Sequence, residues 1–248
     1  MNYYQQLITA YTFDNIPLLA ASAVTFGFGF LEYIYSFRLV RREGSGPFPV
    51  WMHTFYFAHD SSWAVFMFLA AREHDWNWFL LSVSAALLLW TLFETYCLIM
   101  VVRVERNEVF GAYFGQEVTI MQAVGAIFEQ ILAFYMLVNI LIQFMGEGSF
   151  MQWALLTNML MAVAPGVLWL RRSSRIGSGL GIALVIFGGT VNTFLPTGMF
   201  VLALPGVFDT VWFYVTGIVL SAIAAANVVM VAQFDAKQIS DGQKRPIW

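Results

Sequence analysis

The chain carries one cysteine, Cys97, in 248 residues. An intramolecular disulfide is therefore excluded, as is a cysteine-based zinc site. Charge is scarce: Asp, Glu, Lys and Arg make up 11% of the residues, against about 25% in ordinary soluble domains. The net charge of −3 gives no reason to expect nucleic acid as a partner. The opening "MNYYQQLITAYTFDN" is polar and aromatic and lacks a short apolar region with a cleavage site, so no signal peptide is expected. Histidines are few. The His53-x5-His59 spacing does not put two imidazoles on one helical face, and His74 falls between apolar segments. A three-histidine metal site is not expected, and neither a metal nor a cofactor is called for. The last apolar segment lacks the lysine that retinal would need. "GSGLG" from Gly177 follows no strand, unlike a phosphate-cradling loop.

What is present is hydrophobic length. With 60% apolar residues and 24 phenylalanines, the expected solvent is lipid. A spanning helix needs about 20 mostly apolar residues. Seven segments qualify: 17–40, 49–71, 76–102, 118–145, 151–170, 177–204 and 210–234. Runs this long, without alternation, exclude a β-barrel. Pro17 and Pro49 suit first-turn positions, where a missing N–H costs nothing. Pro205 and Gly206 mark the exit of the sixth segment. Eleven of the twelve Lys and Arg residues follow the first, third, fifth and seventh segments, and only Arg72 lies on the other side. The positive-inside rule makes the richer side cytoplasmic. The expected fold is an all-α membrane protein: one integral membrane domain over 1–248, a seven-transmembrane-helix bundle with its N-terminus outside and its C-terminus cytoplasmic. The tail 235–248 is expected to extend into the cytoplasm. The first fifteen residues suit a short interfacial helix, with Tyr3, Tyr4, Tyr11 and Phe13 at headgroup level. The membrane is a plasma membrane or an endomembrane.

Ionisable groups inside such segments are costly, about 2.5–3.5 kcal/mol for a central Asp, and normally face the bundle interior. The candidates are Glu32 on the first segment, His53, His59 and Asp60 on the second, Glu94 on the third and Glu129 on the fourth. Asn158, Asn192 and Asn227 add uncharged polar groups on the last three. At about 1.5 Å per residue, Glu32 and Glu94 lie roughly 12 Å from the cytoplasmic end, and Asp60 and Glu129 roughly 16 Å. Asn227, Asn158 and Asn192 come out at about 10, 18 and 22 Å. Most share one slab, as a cavity lining would. His53, Tyr56, Asp60, Trp63 and Ala64 follow helical spacing along one face of the second segment, and His59 lies about 100° away. Trp90 and Glu94 form an i, i+4 pair on the third. Glu129, Gln130 and Asn158 fit helix–helix hydrogen bonding most simply. Gly27, Gly29, Gly188 and Gly189 most simply permit close helix approach.

The helix spacing, the region of Trp63 and the run "LWLRRSSRIGSGLGIAL" from Leu168 to Leu184 resemble the integral-membrane terpene cyclases of fungal meroterpenoid and indole-diterpene pathways and their bacterial relatives. That resemblance implies a protein that protonates an isoprenoid olefin or epoxide and steers a carbocation in a membrane cavity, with no metal or diphosphate. The family places one acid directly after its tryptophan and another in its last helix. Here Ala64 follows Trp63, and "SAIAAANVVMVAQ" carries no acid. Asp60, one turn before Ala64 on the same face, stands in for the first, and Glu94 or Glu32 for the second.

The expected function is proton-initiated cyclisation or isomerisation of an isoprenoid. Asp60, Glu94, Glu32 and His59 are the candidate catalytic residues. Trp63, Trp90, His53, Tyr56, Asn158, Asn192 and Asn227 would line the substrate. Aromatic faces such as Trp63 and Trp90 attract a passing carbocation. The partners are then a lipid-soluble isoprenoid and the bilayer, with the oligomeric state open. A small seven-helix carrier or ligand-binding membrane protein is the alternative, and a structural subunit a third reading. Pro165-Gly166 and Gly188-Gly189 would be the carrier's helix breaks.

Overall fold

The computed structural model describes residues 3–237 and 247, and all regular structure among them is helical. In chain order the helices are α1 (Tyr4–Ala10), α2 (Ile16–Glu43), α3 (Val50–Glu73), α4 (Trp78–Met100), α5 (Arg106–Phe114), α6 (Ile120–Met145), α7 (Phe150–Arg172), α8 (Leu180–Thr193), α9 (Met199–Ala203), α10 (Pro205–Phe208) and α11 (Val211–Gln233). Five stretches are long and apolar enough to cross a membrane: Ile16–Glu43, Trp78–Phe114, Ile120–Met145, Glu147–Arg172 and Val211–Gln233. Of the expected tail, 238–246 and 248 lie outside the described residues.

Local chemistry sets the helix ends. The Asn77 side chain accepts from the Phe79 and Leu80 N–H groups at 3.1 and 3.3 Å and so starts α4. Thr119 and Gln122 close a reciprocal capping box at the start of α6. Thr210 accepts from the Phe213 N–H at 3.2 Å to open α11. Pro17 sits in the first turn of α2, and Gly44, at φ 72°, ends that helix with its N–H on the Val40 carbonyl.

Two expected segments differ from what forms. The third does not stop at 102. A π-helical turn, Val101–Glu105, joins α4 to α5, so the rod runs on to Phe114 because no breaker stands between. The sixth, 177–204, is not one helix. Pro196 disfavours helical backbone at Leu195 and has no N–H to offer, so α8 ends at Thr193 and α9 begins only at Met199. At about 1.5 Å per residue α8 alone covers only about 21 Å.

The chain forms two compact units. One comprises Met1–Thr9 and Val50–Trp153, the other Ala10–Pro49 and Ala154–Trp248. In the first unit α3 packs against α4 and α6. Helix α3 is too polar to rank among the five apolar stretches, yet Thr54, His59, Asp60 and Ser62 on it are buried. Their neighbours explain this. Thr54 donates to Gln130 at 3.3 Å, the Ser61 and Tyr135 hydroxyls meet at 2.6 Å, and Asn139 donates to Ser62 at 3.2 Å. The outward face of α6 is apolar instead, with Phe128 64% exposed, which suits lipid. Glu129 also lies on the exposed side of α6, so it does not join the polar interior expected from its depth.

In the second unit α8 packs against α2 and α11. A Cβ on Gly188 would stand 2.9 Å from the Phe28 ring, so that glycine does set a close approach. Gly27 does not: nothing lies within 4 Å of its would-be Cβ. Pro165 leaves α7 unbroken. Near it the Asn227 side chain donates to the Ala162 carbonyl at 3.2 Å, and Gly166 makes room, since a Cβ there would meet the Asn227 amide at 2.1 Å. Two of the three arginines of the "RRSSR" run bond carbonyls: Arg172 reaches Gly46, and Arg175 reaches Val231 and Ala232 at the end of α11.

Gly217 on α11 offers a packing test. An added Cβ would stand 2.4 Å from Phe194 Cβ, an atom that moves only with its backbone. Gly217→Ala should cost about 1–3 kcal/mol by overpacking, read from unfolding in mixed micelles. Gly27→Ala, with open space around it, should cost nothing. Equal stability of the two variants would contradict this packing.

The Tyr11 hydroxyl meets that of Ser22 at 2.9 Å, and its side chain is buried. Burial pushes the phenol up to about 12, with the Ser22 bond partly opposing. An unfolded tyrosine ionises near its ordinary value of about 10. The folded state therefore holds this proton longer. Its contribution is fully present below pH ~10 and is lost as pH rises to ~12, on the order of 2 kcal/mol. Tyr11→Phe should flatten stability across that window relative to the parent. An unchanged alkaline profile would place the loss elsewhere, and Tyr4, whose phenol burial also raises, would be the next residue to test.

Candidate functional site

The chemistry of the first unit collects on α3. His53, Tyr56, Asp60, Trp63 and Ala64 are all buried, as the helical spacing of that face requires. His59, off that face, is buried too. Its ring lies 5.7 Å from that of Trp153 and 5.8 Å from that of Phe55. Trp63 packs on Phe150 and Trp153, at 5.5 and 6.5 Å, and Phe55 on Phe134 at 5.5 Å. The result is an aromatic wall around one imidazole.

That imidazole is oriented. His59 Nδ1 and Asp60 Oδ1 are 2.8 Å apart. With Asp60 ionised, its carboxylate can only accept, so Nδ1 then carries the proton and Nε2 keeps its lone pair. His59 Nε2 is buried with no hydrogen-bond partner among the described residues, and so are Trp63 Nε1 and Trp153 Nε1. Buried polar atoms without partners are rare, and each calls for an explanation. Here one ring nitrogen and two indole N–H groups share one aromatic neighbourhood.

A second cluster joins α3 to α4. His53 Nδ1 and Glu94 Oε2 are 2.6 Å apart, the length of a charge-assisted hydrogen bond. Cys97 stands beside them, with its Sγ within 4.8 Å of a His53 ring nitrogen and a Glu94 carboxylate oxygen. Glu94 and Cys97 are i, i+3 neighbours on α4, and all three side chains are buried. Asp60 lies within electrostatic reach of Glu94, so the clusters are neighbours. Among the expected residues, Tyr56 and Trp90 also belong to this unit, Tyr56 buried and Trp90 half-buried.

Glu32, Asn158, Asn192 and Asn227 belong to the second unit. Glu32 packs towards α8 near Gly189 and has no ion-pair partner among the described residues. The three amides serve the helices around them. Asn192 donates to Thr25 at 2.9 Å, Asn158 accepts from Thr193 at 3.3 Å, and Asn227 bonds Ala162. Sequence reasoning missed Cys97, Trp153 and Phe134. The Glu94-x2-Cys97 spacing was the signal for the first, since it places both side chains on one helical face. Nothing in the pattern marked the other two.

No family model, curated protein or solved structure matches the chain.

Proposed function

We propose that this is a membrane enzyme that isomerises a lipid-soluble isoprenoid by proton transfer, closing a ring or moving a double bond. One observation carries the reading: His59 holds Nδ1 on Asp60 and leaves Nε2 unpartnered within an aromatic wall. An imidazole fixed this way can exchange a proton at Nε2. Protonated, it delivers H⁺ to one carbon of an olefin. The carbocation lies against the faces of Trp63, Trp153 and Phe55, whose quadrupoles attract it. Loss of a proton from a neighbouring carbon returns H⁺ to the protein, and the product keeps the substrate's mass. Asp60 thus orients and stabilises the imidazolium, and Nε2 is the transferring atom, a division of roles that the terpene-cyclase resemblance alone does not supply.

The test is conversion. Membranes holding the protein are incubated with isoprenoid olefins and epoxides, and the extracts are read by mass spectrometry and NMR. An isomer of unchanged mass, absent from control membranes, supports the reading. Solute flux with a chemically unchanged ligand would favour a carrier instead.

The same proposal sets seven crossings: the five apolar stretches, α3 enclosed by α4 and α6, and α8 continued by α9 across the break at Pro196. Reporters fused after Gly44, Gly115 and Gly177 should all score cytoplasmic, and one after Asp75 external. An external score after Gly115 would remove the seven-crossing count.

A further inference from the structure

The His53, Glu94 and Cys97 cluster has a geometry that a structural ion pair does not need. One ligand atom from each of the three lies within 4.8 Å of the others, and all three residues are buried. A pair stabilising α3 against α4 requires only the imidazole and the carboxylate. The third group, Cys97, adds a soft sulfur donor one helical turn from Glu94, on the same face. The helix changes character directly after it. The Val101 N–H is shared between the Cys97 and Leu98 carbonyls, and the π-helical turn Val101–Glu105 begins there. Such turns occur mostly as single insertions in α-helices, often at functional sites.

We propose that His53, Glu94 and Cys97 form a binding site for one Zn²⁺ ion inside the first unit. The donor chemistry selects the metal. Imidazole nitrogen, carboxylate oxygen and thiolate sulfur are together the ligand types of zinc, whereas Mg²⁺ and Ca²⁺ take oxygen almost alone. The charge balance suits a buried place. Zn²⁺ with one thiolate, one carboxylate and one neutral imidazole sums to zero, so the loaded cluster avoids the cost of an unpaired charge in a low dielectric. Three protein donors leave one of zinc's usual four positions for a small ligand, the pattern of catalytic rather than structural zinc. The exclusion of a cysteine-based zinc site drawn from the single cysteine holds for sites of several thiolates and is too broad for this mixed set, which needs only Cys97. The inference stands apart from the proton-transfer reading, which rests on His59 and Asp60.

Full-length protein in detergent, stripped with a chelator and dialysed, is titrated with Zn²⁺ by calorimetry and with Co²⁺ by absorption. The expected result is one equivalent bound and a thiolate-to-cobalt charge-transfer band. Because the chain has one cysteine, any such band belongs to Cys97. Cys97→Ser should remove the band, and both Cys97→Ser and His53→Gln should weaken Zn²⁺ by more than about a hundredfold, beyond what loss of a supporting partner costs. Failure of the parent protein to retain Zn²⁺, or absence of the band, would overturn the site whatever the variants do. Unchanged affinity in Cys97→Ser would overturn it as well. The titration reads metal alone and the conversion assay reads product, so each can fail without the other.

Discussion

Asp60→Asn should lower conversion by about 10³–10⁴-fold while leaving the protein folded, because it changes which imidazole nitrogen holds the proton. The carboxylate accepts from His59 Nδ1 at 2.8 Å. A carboxamide of the same shape can turn its NH₂ towards Nδ1 and donate. The proton then moves to Nε2, and the lone pair that should face the substrate points at Asn instead. The imidazolium also loses its buried counter-charge. His59→Gln should cost a comparable factor, since it removes the transferring atom. The double variant should be scarcely worse than either single one, because groups acting as a unit are not additive. Asp60→Glu should recover part of the rate, since one added methylene shifts the carboxylate by only about 1.5 Å. Conversion is read as initial rate of isomer formation in membranes of matched protein content. Full activity in Asp60→Asn would remove the pair from the mechanism, and independent, multiplying losses would show that the two residues do not act together.

Much of the fold was legible because lipid imposes length and polarity so strongly. The apolar stretches beginning at Ile16, Ile120 and Val211 stand within a few residues of where apolar length alone puts them. The sixth segment was misjudged because hydropathy does not register what Pro196 does to the backbone. The third runs past its expected end because Arg103 and Arg106 fall outside the apolar run yet continue the helix. Arginine is a good helix former, and Arg106 satisfies itself on the Val102, Arg103 and Val118 carbonyls.

The site was legible in part, for a reason that also lies in helix geometry. Spacing along one helix reveals which residues share a face, so the buried row from His53 to Ala64 could be read directly. Depth counted along a helix says nothing about direction. Glu129 matched Asp60 in depth but turns outward, and Asn158, Asn192 and Asn227 use their amides on neighbouring helices. The partner that most alters the chemistry of α3 is adjacent in sequence, His59 beside Asp60. Neighbours on a helix usually diverge by about 100°, so only the rotamers bring the two side chains together.

Glu94→Ala should destabilise the metal-free protein by about 3–5 kcal/mol, the cost of stripping one partner from a buried charged pair. Glu94 is 1% exposed and His53 4%, so water does not replace the lost acceptor. The bond that disappears is the short one, 2.6 Å, and it ties α3 to α4 directly. Glu94→Gln keeps the shape and an acceptor oxygen, so its cost should fall to about 1–3 kcal/mol, that of a weakened buried hydrogen bond. Replacing both partners, as in His53→Leu with Glu94→Leu, should recover most of the loss, because an apolar pair of similar volume leaves no charge behind. Unfolding in mixed micelles of all four proteins gives a double-mutant cycle whose coupling term reads the pair itself. A Glu94→Ala cost within about 0.5 kcal/mol of zero, the range of an ordinary surface change, would mean that His53 and Glu94 are not held together in the folded chain.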